Sequence, residues 1–279
     1  MSEKKIDILI PTCSRLTALA ITLTGLCAQS FNEFDVVISD QSDDDTIHTS
    51  KEIAAVKAVL ASHGNQLIIM TNIPKKGMAE QRQFLLNQVN KPYCLFLDDD
   101  LLIENDMLSR LLNAIVEEKC GFVGAAPIGL SYIQDVRPHE QQIEFWVGPV
   151  KPETIIPGDQ KWKRHSLHNA ANIYHVQQEL KLSPENQKKY KVAWVGGCVL
   201  YDSEKLKKAG GYSFWQDLPP NHCGEDVLAQ LRVMKKFGGC GIIPSGVYHL
   251  EIPTMVTDRR INAPEFLNRG RDARPHDNV

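Results

Sequence analysis

The feature that most constrains this chain is a short apolar run that ends in three consecutive aspartates. Tyr93–Leu97 is followed at once by Asp98, Asp99 and Asp100. A continuous apolar run of this length is typical of a parallel strand that is buried on both faces. The C-terminal ends of such strands open into the crevice where α/β sheets bind ligands. Mg²⁺ is usually held by one or two carboxylates together with substrate phosphates, so the triplet predicts half of a cation site, with a solvated acidic turn as the alternative.

Strand-like and helix-like patterns alternate through the first 126 residues. Apolar runs at 6–10, 34–39, 67–70, 93–97 and 122–126 predict strands, and the segments between them carry apolar residues at helical spacing. Alternation of this kind indicates parallel βαβ units. We therefore predict an α/β fold, with a mostly parallel sheet of nucleotide-binding type that is flanked by helices.

The second half is less regular. The pattern weakens over 127–191, where only 142–150 alternates as a strand would. Regularity returns with predicted strands at 192–201 and 240–248 and an amphipathic helix at 225–237. The remainder, 255–279, is predicted to be a polar C-terminal tail.

Composition excludes several classes of protein. The 279 residues carry a formal net charge of −3, which offers no basic field for nucleic acid or an anionic membrane. The seven cysteines form no CxxC pair and are typical of buried thiols in a reducing compartment. Apolar residues never run to 18, so we expect a cytoplasmic protein whose membrane contact is at most peripheral.

Several short motifs occur in an order that points to one family. They are Ile10-Pro11-Thr12 with Arg15, Ile38-Ser39-Asp40-Gln41-Ser42, Lys76-Gly77-Met78-Ala79-Glu80-Gln81-Arg82, the aspartate triplet, Gly210-Gly211-Tyr212 and Gly224-Glu225-Asp226. In this order and spacing the chain resembles a family 2 glycosyltransferase of the GT-A fold over roughly 6–126 and 192–250.

That resemblance implies an inverting, hexosyltransferase-like enzyme. It would move a sugar from a nucleoside-diphosphate donor, a UDP-sugar first of all, to a hydroxyl of a saccharide, lipid-linked or other acceptor, with Mg²⁺ or Mn²⁺ on the diphosphate. Residues 1–126 would bind the nucleotide-sugar, and 127–254 would supply the acceptor site and the catalytic base within the same domain. The implied donor-binding residues are Pro11, Thr12, Arg15, Asp40, Lys76, Gly77, Arg82, Asp98 and Asp99, and the implied metal ligands are Asp100, Asp98 and His249. The residues themselves favour an acceptor-side role for Trp194, because the neighbouring Gly196 and Gly197 leave room for a ligand.

An inverting transfer also needs a base that takes the proton of the attacking hydroxyl. Glu225 and Asp226 stand at the predicted start of a helix, where the helix dipole favours ionised carboxylates. We predict Asp226 as the base and Glu225 as its neighbour in the catalytic site. The alternative is that both acidic residues only stabilise the helix terminus.

Other predicted site residues have plain alternatives as well. Asp40 lies beside Asp43-Asp44-Asp45, so its loop is simply acidic. Arg82 is suited to a pyrophosphate but would also suit a solvated helix face, and Gln83 stands where the family usually has Asn. His249 at a strand end is also consistent with a structural role, and Trp194 with core packing.

Three other functions compete with the glycosyltransferase. A Mg²⁺-dependent nucleotidyltransferase would need a glycine-rich phosphate loop, which Thr12-Cys13-Ser14-Arg15 does not provide. An aspartyl phosphatase would use an Asp-x-Asp after an apolar strand, but Leu101 follows the triplet where Thr or Val is expected. A non-catalytic sugar-nucleotide-binding protein would have no need for both the triplet and Glu225-Asp226.

Overall fold

The computed structural model describes residues 4–272 and is built around one large sheet. Its strands are, in chain order, β1 (Ile6–Thr12), β2 (Phe34–Asp40), β3 (Leu67–Thr71), β4 (Tyr93–Leu97), β5 (Leu101–Ile103), β6 (Phe122–Gly124), β7 (Ile128–Gly129), β8 (Lys188–Tyr190), β9 (Cys198–Asp202), β10 (Gly239–Ile243) and β11 (Val247–His249). Eight of them form the large sheet, in the order β3-β2-β1-β4-β9-β6-β10-β8, and β5-β11-β7 form a small one. Strand β9 runs antiparallel between β4 and β6, and β8 is an antiparallel edge.

Helices cover both faces of the large sheet. They are α1 (Leu16–Cys27), α2 (Thr46–Thr49), α3 (Lys51–Ser62), α4 (Met78–Leu86), α5 (Met107–Glu118), α6 (Asn172–Glu179), α7 (Ser203–Lys208), α8 (Glu225–Phe237) and α9 (Ala263–Asp272). Helices α1, α3 and α5 pack on one face, and α4, α6 and α8 pack on the other. Each face of the sheet has its own hydrophobic core, and strand β1 contributes to both. Ile8 faces the core under α1, α3 and α5, and Leu9 faces the core under α4, α6 and α8.

The alternation predicted for the first half is confirmed. Parallel strands β1, β2 and β3 are in register at their C-terminal ends, where Thr12 pairs with Asp40 and Asp40 pairs with Thr71. Strand β4 ends beside them, and the turn between β4 and β5 carries the three aspartates. The sheet therefore brings the predicted donor residues to one edge.

The strand predicted at 192–201 is wrong over its first half, because only Cys198–Asp202 pairs. Val195 is buried but hydrogen-bonds to a side chain instead of a strand. Gln230 Oε1 accepts from Val195 N at 2.8 Å, and Gln230 Nε2 donates to Val195 O at 2.7 Å. The Gln230 amide thus substitutes for a neighbouring strand, a replacement that an apolar run cannot reveal.

Two other strand predictions need correction. Residues 142–150 make a single bridge, Phe145 to Tyr190, because Gly148 has φ +79° and Pro149 lacks an N–H. The strand predicted at 240–248 is divided between β10 in the large sheet and β11 in the small one. Pro244 and Gly246, with φ +70°, stand at the break.

The irregular region 127–191 contains helix α6 and short 3₁₀ turns, of which Trp162–His168 is the longest. The predicted division at residue 126 stays a prediction, and strands from both sides of it enter the large sheet. The predicted tail 255–279 lies partly outside the described residues, and α9 occupies the last ten of the described ones, after a non-helical stretch over 255–262. Within residues 4–272, no helix is both long and apolar enough to cross a membrane.

Candidate active site

A cavity of about 520 Å³ opens at the carboxyl ends of β1 and β4, beside the first turn of α8. Its walls come from the donor half, from the irregular second half and from the chain that follows β11. The predicted residues on its walls are Pro11, Thr12, Arg15, Arg82, Asp98, Asp99, Asp100, Trp194, Glu225, Asp226 and His249.

Lys76 and Gly77 lie away from these walls. Lys76 is exposed, and its ammonium lies 5.7 Å from the centre of the Trp215 ring. Gly77 has φ +99°, and a Cβ there would approach Pro220 O to 2.5 Å. Next to it, Ala79 N donates to His222 Nε2 at 3.0 Å. Gly77 therefore allows the start of α4 to pack closely on the loop that contains Pro220 and His222.

Gly196 and Gly197 support the aspartate turn from behind. Asp98 N donates to Gly197 O at 2.8 Å. Gly197 has φ +71°, and a Cβ on it would come within 2.9 Å of Leu101 Cδ1 and 3.4 Å of Asp98 Oδ2. Gly196 leaves space beside the Trp194 ring, which stays 3.6 Å from an added Cβ.

Each aspartate of the triplet has a different environment. Asp99 points inward, where its Oδ2 accepts from Thr12 Oγ1 at 2.6 Å and its Oδ1 from Arg15 Nη1 at 3.1 Å. Burial raises the pKa of Asp99 to about 6, and the bonds from Thr12 and Arg15 oppose that rise. Asp99 thus fixes the turn to β1.

Asp100 faces Arg15 and His249. Its Oδ2 accepts from Arg15 Nη1 at 2.9 Å and lies 3.7 Å from His249 Nε2. Glu251 N donates to His249 Nδ1 at 2.7 Å, so a neutral ring carries its proton on Nε2, toward Asp100. In this arrangement the His249 Nε2–H group points toward Asp100, and the lone pair of Nδ1 is taken by Glu251 N. Neither ring nitrogen is therefore free to bind a cation.

The acidic side chains on the cavity wall form only part of a cation site. Within the described part of the chain, no group of three or more His, Cys, Asp or Glu side chains is arranged to hold a metal alone. The Asp100 carboxylate presents oxygen atoms on the cavity wall, and burial followed by the charge of Asp98 raises its pKa. This donor set fits a cation that takes its other ligands from a bound diphosphate and water.

Arg82 bridges the two halves of the site. The guanidinium is buried, donating from Nη2 to Asp98 Oδ1 at 3.0 Å and from Nε to Glu225 Oε1 at 3.0 Å. These bonds connect the turn after strand β4 with helix α8. They use two N–H groups of Arg82, the side chain that the sequence predicts to bind the pyrophosphate.

Glu225 and Asp226 begin α8, whose N-cap residue is Gly224 with φ +75°. Both residues line the cavity, but Glu225 is buried against Arg82, whereas Asp226 is only partly buried. Burial, followed by the charge of Glu225, raises the pKa of Asp226 to about 7, and Arg82 opposes that rise. A carboxylate with this pKa is suited to take up a proton near neutrality.

Asp40 lies outside the walls of this cavity and is buried at the end of β2. Its Oδ1 accepts from Ser42 N at 2.8 Å, and its Oδ2 lies 3.6 Å from His48 Nε2. Thr71 Oγ1 is 3.2 Å from the same His48 nitrogen. No sequence pattern predicts a contact between His48 and Asp40. His48 belongs to the short helix α2, and only the fold brings it close to the end of β2.

Sequence reasoning also missed the segment that crosses the cavity, which we call the C-terminal strap (residues 250–262). Leu250 N donates to Asp100 O at 2.9 Å, Arg15 Nη2 donates to Pro253 O, and Cys223 N donates to Ile261 O at 2.9 Å. The sequence predicts residues 255–262 of the strap only as polar tail, because the order of this segment depends on these long-range bonds. Its residues on the cavity wall are Ile252, Thr254, Met255, Val256, Arg259 and Asn262.

The family model for glycosyl transferase family 2 matches residues 7–177, which is more than half of the chain. No curated protein matches the sequence.

Solved structures with the same fold include TarS and a mannosyltransferase. Residues 1–349 of S. aureus TarS, in complex with UDP-GlcNAc, match with a TM-score of 0.53 and 18% identity over 90% of this chain and 60% of that one. The mannosyltransferase PcManGT from Pyrobaculum calidifontis, in complex with GDP-Man and Mn²⁺, matches with a TM-score of 0.53 and 16% identity over 86% and 57%. The chain thus spans less than two thirds of these relatives. The likeness confirms the predicted GT-A type α/β fold.

Proposed function

Because the chain belongs to glycosyl transferase family 2, we propose that it transfers a sugar, with inversion, from a nucleoside-diphosphate sugar to an acceptor hydroxyl. Asp226 is the general base of this proposal. The observation that carries it is the different environment of the two acidic residues at the start of α8. Arg82 engages Glu225 at 3.0 Å, and Asp226 faces the cavity with its pKa raised to about 7.

The transfer needs the donor and the acceptor on opposite sides of one carbon. Asp98 and Asp100 stand on the donor side of the cavity, at the end of the parallel strands, and Asp226 stands on the side of α8. As the acceptor oxygen forms its bond to the anomeric carbon, the bond to the diphosphate breaks and the hydroxyl proton passes to Asp226. Displacement from the face opposite the leaving group inverts the configuration at that carbon.

The donor-binding proposal rests on the edge formed by β1, β2 and β4. Asp40 lies outside the cavity walls but pairs in register with Thr12 on the wall, and we propose that it accepts from an N–H on the edge of the base, while Pro11 and Thr12 border the nucleotide. The neighbours TarS and PcManGT were solved with UDP-GlcNAc and GDP-Man, which supports a nucleoside-diphosphate sugar as the class of donor. We propose a UDP-sugar first.

Asp100 is the residue that we propose to hold a divalent cation. When bound there with the diphosphate, Mg²⁺ or Mn²⁺ would neutralise negative charge on the leaving group. The complex of PcManGT with Mn²⁺ supports this proposal. Arg15, at 2.9 Å from Asp100 Oδ2, supplies a second positive charge on the same wall.

On the acceptor side we propose Trp194, which lines the cavity and stacks on His165 with ring centres 6.2 Å apart. An indole ring is suited to stacking on the apolar face of a sugar ring. The acceptor is thus proposed to be a saccharide hydroxyl, free or lipid-linked.

The function can be tested in two stages. Thermal shift with UDP, GDP and CDP, each with and without Mn²⁺, identifies the base, because a ligand at 100 Kd stabilises by about 2.7 kcal/mol. Sugar transfer is then assayed with the matching nucleotide-sugars against a panel of saccharide acceptors. We expect a product whose anomeric configuration, read by NMR, is opposite to that of the donor. A retained configuration, or no shift with any nucleotide, contradicts the proposal.

A further inference from the structure

Behind the candidate base lies a second cavity, much smaller than the first. Its volume is about 10 Å³, and Asp226 and Arg82 line both cavities. The inner walls also carry two tyrosines, Tyr201 and Tyr212. A volume of about 10–15 Å³ open to a water-sized probe holds about one water molecule.

The Tyr212 side chain is fully buried, and its hydroxyl makes no hydrogen bond of acceptable geometry with any described residue. The Tyr201 hydroxyl lies beside it. Burial raises the pKa of Tyr212, so the hydroxyl stays protonated and needs a hydrogen-bond acceptor. An unsatisfied buried hydroxyl destabilises the folded state, which is why nearly all such groups find a partner or a water.

Some of the other polar groups around this cavity are already engaged. Both ends of the Gln230 amide bond to the backbone of Val195. Arg82 donates from Nε to Glu225 and from Nη2 to Asp98, which leaves further N–H groups on its guanidinium. The groups that line the space with hydrogen-bonding capacity are therefore the tyrosine hydroxyls, the Asp226 carboxylate and the remaining N–H groups of Arg82.

We propose that one water occupies this inner cavity and bridges the Tyr212 hydroxyl to the Asp226 carboxylate, which makes Tyr212 a positioning residue for the base. The water accepts from Tyr212 and donates to one carboxylate oxygen of Asp226. The other oxygen is then held toward the large cavity and the acceptor hydroxyl. The proton of the acceptor goes to Asp226 itself, and the water only fixes the orientation of the carboxylate. This inference rests on the proposed function of Asp226 as the base.

The test compares Tyr212→Phe with a matched loss of a buried hydroxyl elsewhere. Tyr190 is equally buried, and its hydroxyl bonds to His168 Nε2 at 2.9 Å, outside both cavities. Crystal structures of the wild type and Tyr212→Phe show whether the inner cavity holds a water. Initial rates give kcat and the donor KM for the wild type and both variants, and thermal unfolding confirms that the variants are folded.

We expect an ordered water between Tyr212 and Asp226 in the wild type and none in Tyr212→Phe. Since misplacing a catalytic group by about 1 Å can cost about 100-fold in rate, we expect kcat of Tyr212→Phe to fall by about 10- to 100-fold with the donor KM unchanged. Tyr190→Phe should keep the wild-type kcat. A dry cavity in the wild type, or an unchanged kcat in Tyr212→Phe, overturns the inference.

The failure of this inference can be told apart from failure of the function. The presence of the water is read from density and does not depend on catalysis. If Asp226→Asn is inactive while Tyr212→Phe has the wild-type kcat, only the positioning role is wrong. If Asp226→Asn has the wild-type rate, the base assignment itself is wrong, and the role of Tyr212 is wrong with it.

Discussion

The Arg82 guanidinium donates from Nε to Glu225 Oε1 at 3.0 Å, and this ion pair is buried on both sides. The same guanidinium donates to Asp98, so a single side chain links the donor wall of the cavity to the helix that carries the candidate base. The two adjacent acidic residues at the start of α8 are thereby made different. Both line the cavity, but Arg82 forms its ion pair with Glu225, which becomes part of the framework.

Replacing Arg82 tests this framework. Arg82→Met leaves Glu225 buried without its cation, and breaking a buried pair in this way costs about 3–5 kcal/mol of unfolding free energy. Urea denaturation measures the loss. The exposed pair of Arg260 with Asp258 provides the control, because Arg260→Met should leave the midpoint nearly unchanged. Equal midpoints for Arg82→Met and the wild type would show that the bridge does not stabilise the fold.

The pH dependence of activity follows from Asp226. Its pKa is raised from the ordinary 3.8 to about 7 by burial and the neighbouring charge of Glu225. A general base works only when it is ionised, so kcat/KM should fall about tenfold per pH unit below that pKa. The measurement is a pH profile of initial rates, and a rate that stays flat from pH 7 to pH 5 contradicts the assignment.

Stability should depend on the same group with a defined sign. The folded protein binds a proton at Asp226 more tightly than the unfolded chain does. The free energy of unfolding of the wild type therefore decreases as pH rises from 3.8 toward about 7. Asp226→Asn cannot ionise and does not show this decrease. Its melting temperature relative to the wild type should therefore increase with pH up to about 7 and then level off. A difference that shrinks with rising pH would contradict the raised pKa.

Asp40 tests the donor site independently of the chemistry. Asp40→Ala removes a contact that is made equally in the ground and transition states, so it should raise the donor KM and leave kcat nearly unchanged. Asp44 lies in the same acidic loop and is exposed, which makes Asp44→Ala the matched control. Titration calorimetry with the nucleoside diphosphate gives both affinities. Equal affinity in the two variants would return Asp40 to the class of ordinary loop residues.

Removal of the cation tests Asp100. If a metal is held between Asp100 and the diphosphate, EDTA should abolish both transfer and tight binding of the nucleoside diphosphate, and Mn²⁺ or Mg²⁺ should restore them. Asp100→Ala should show the same losses without restoration. Full activity in EDTA would exclude a metal at this position and leave Arg15 as the charge that faces the diphosphate.

The sequence predicted the first half of the fold because each strand there is a short apolar run between turn residues. Strand β4 and its three aspartates fall where the pattern placed them. The second half failed where hydrogen bonds come from distant side chains. Val195 looked like part of a strand, but Gln230 satisfies its backbone from helix α8.

The site was predictable to the extent that its residues end strands or begin helices. Pro11, Thr12 and Asp226 are examples, since each follows a boundary that the sequence marks. The ion pair of Arg82 with Glu225 joins residues 143 positions apart, and the local sequence around neither residue predicts it. The same holds for Arg15 and the C-terminal strap, whose contact depends on the way the chain returns over the cavity after β11.

The most direct test of the account is the rate of sugar transfer by Asp226→Asn. The substitution keeps the size of the side chain at the start of α8, so the fold and the affinity for the nucleoside diphosphate should be preserved. The loss of a general base removes about 10²- to 10⁴-fold of rate, and kcat and kcat/KM should fall together. Glu225→Gln, which disturbs the ion pair with Arg82, should reduce kcat less. A wild-type kcat in Asp226→Asn would show that Asp226 is not the base.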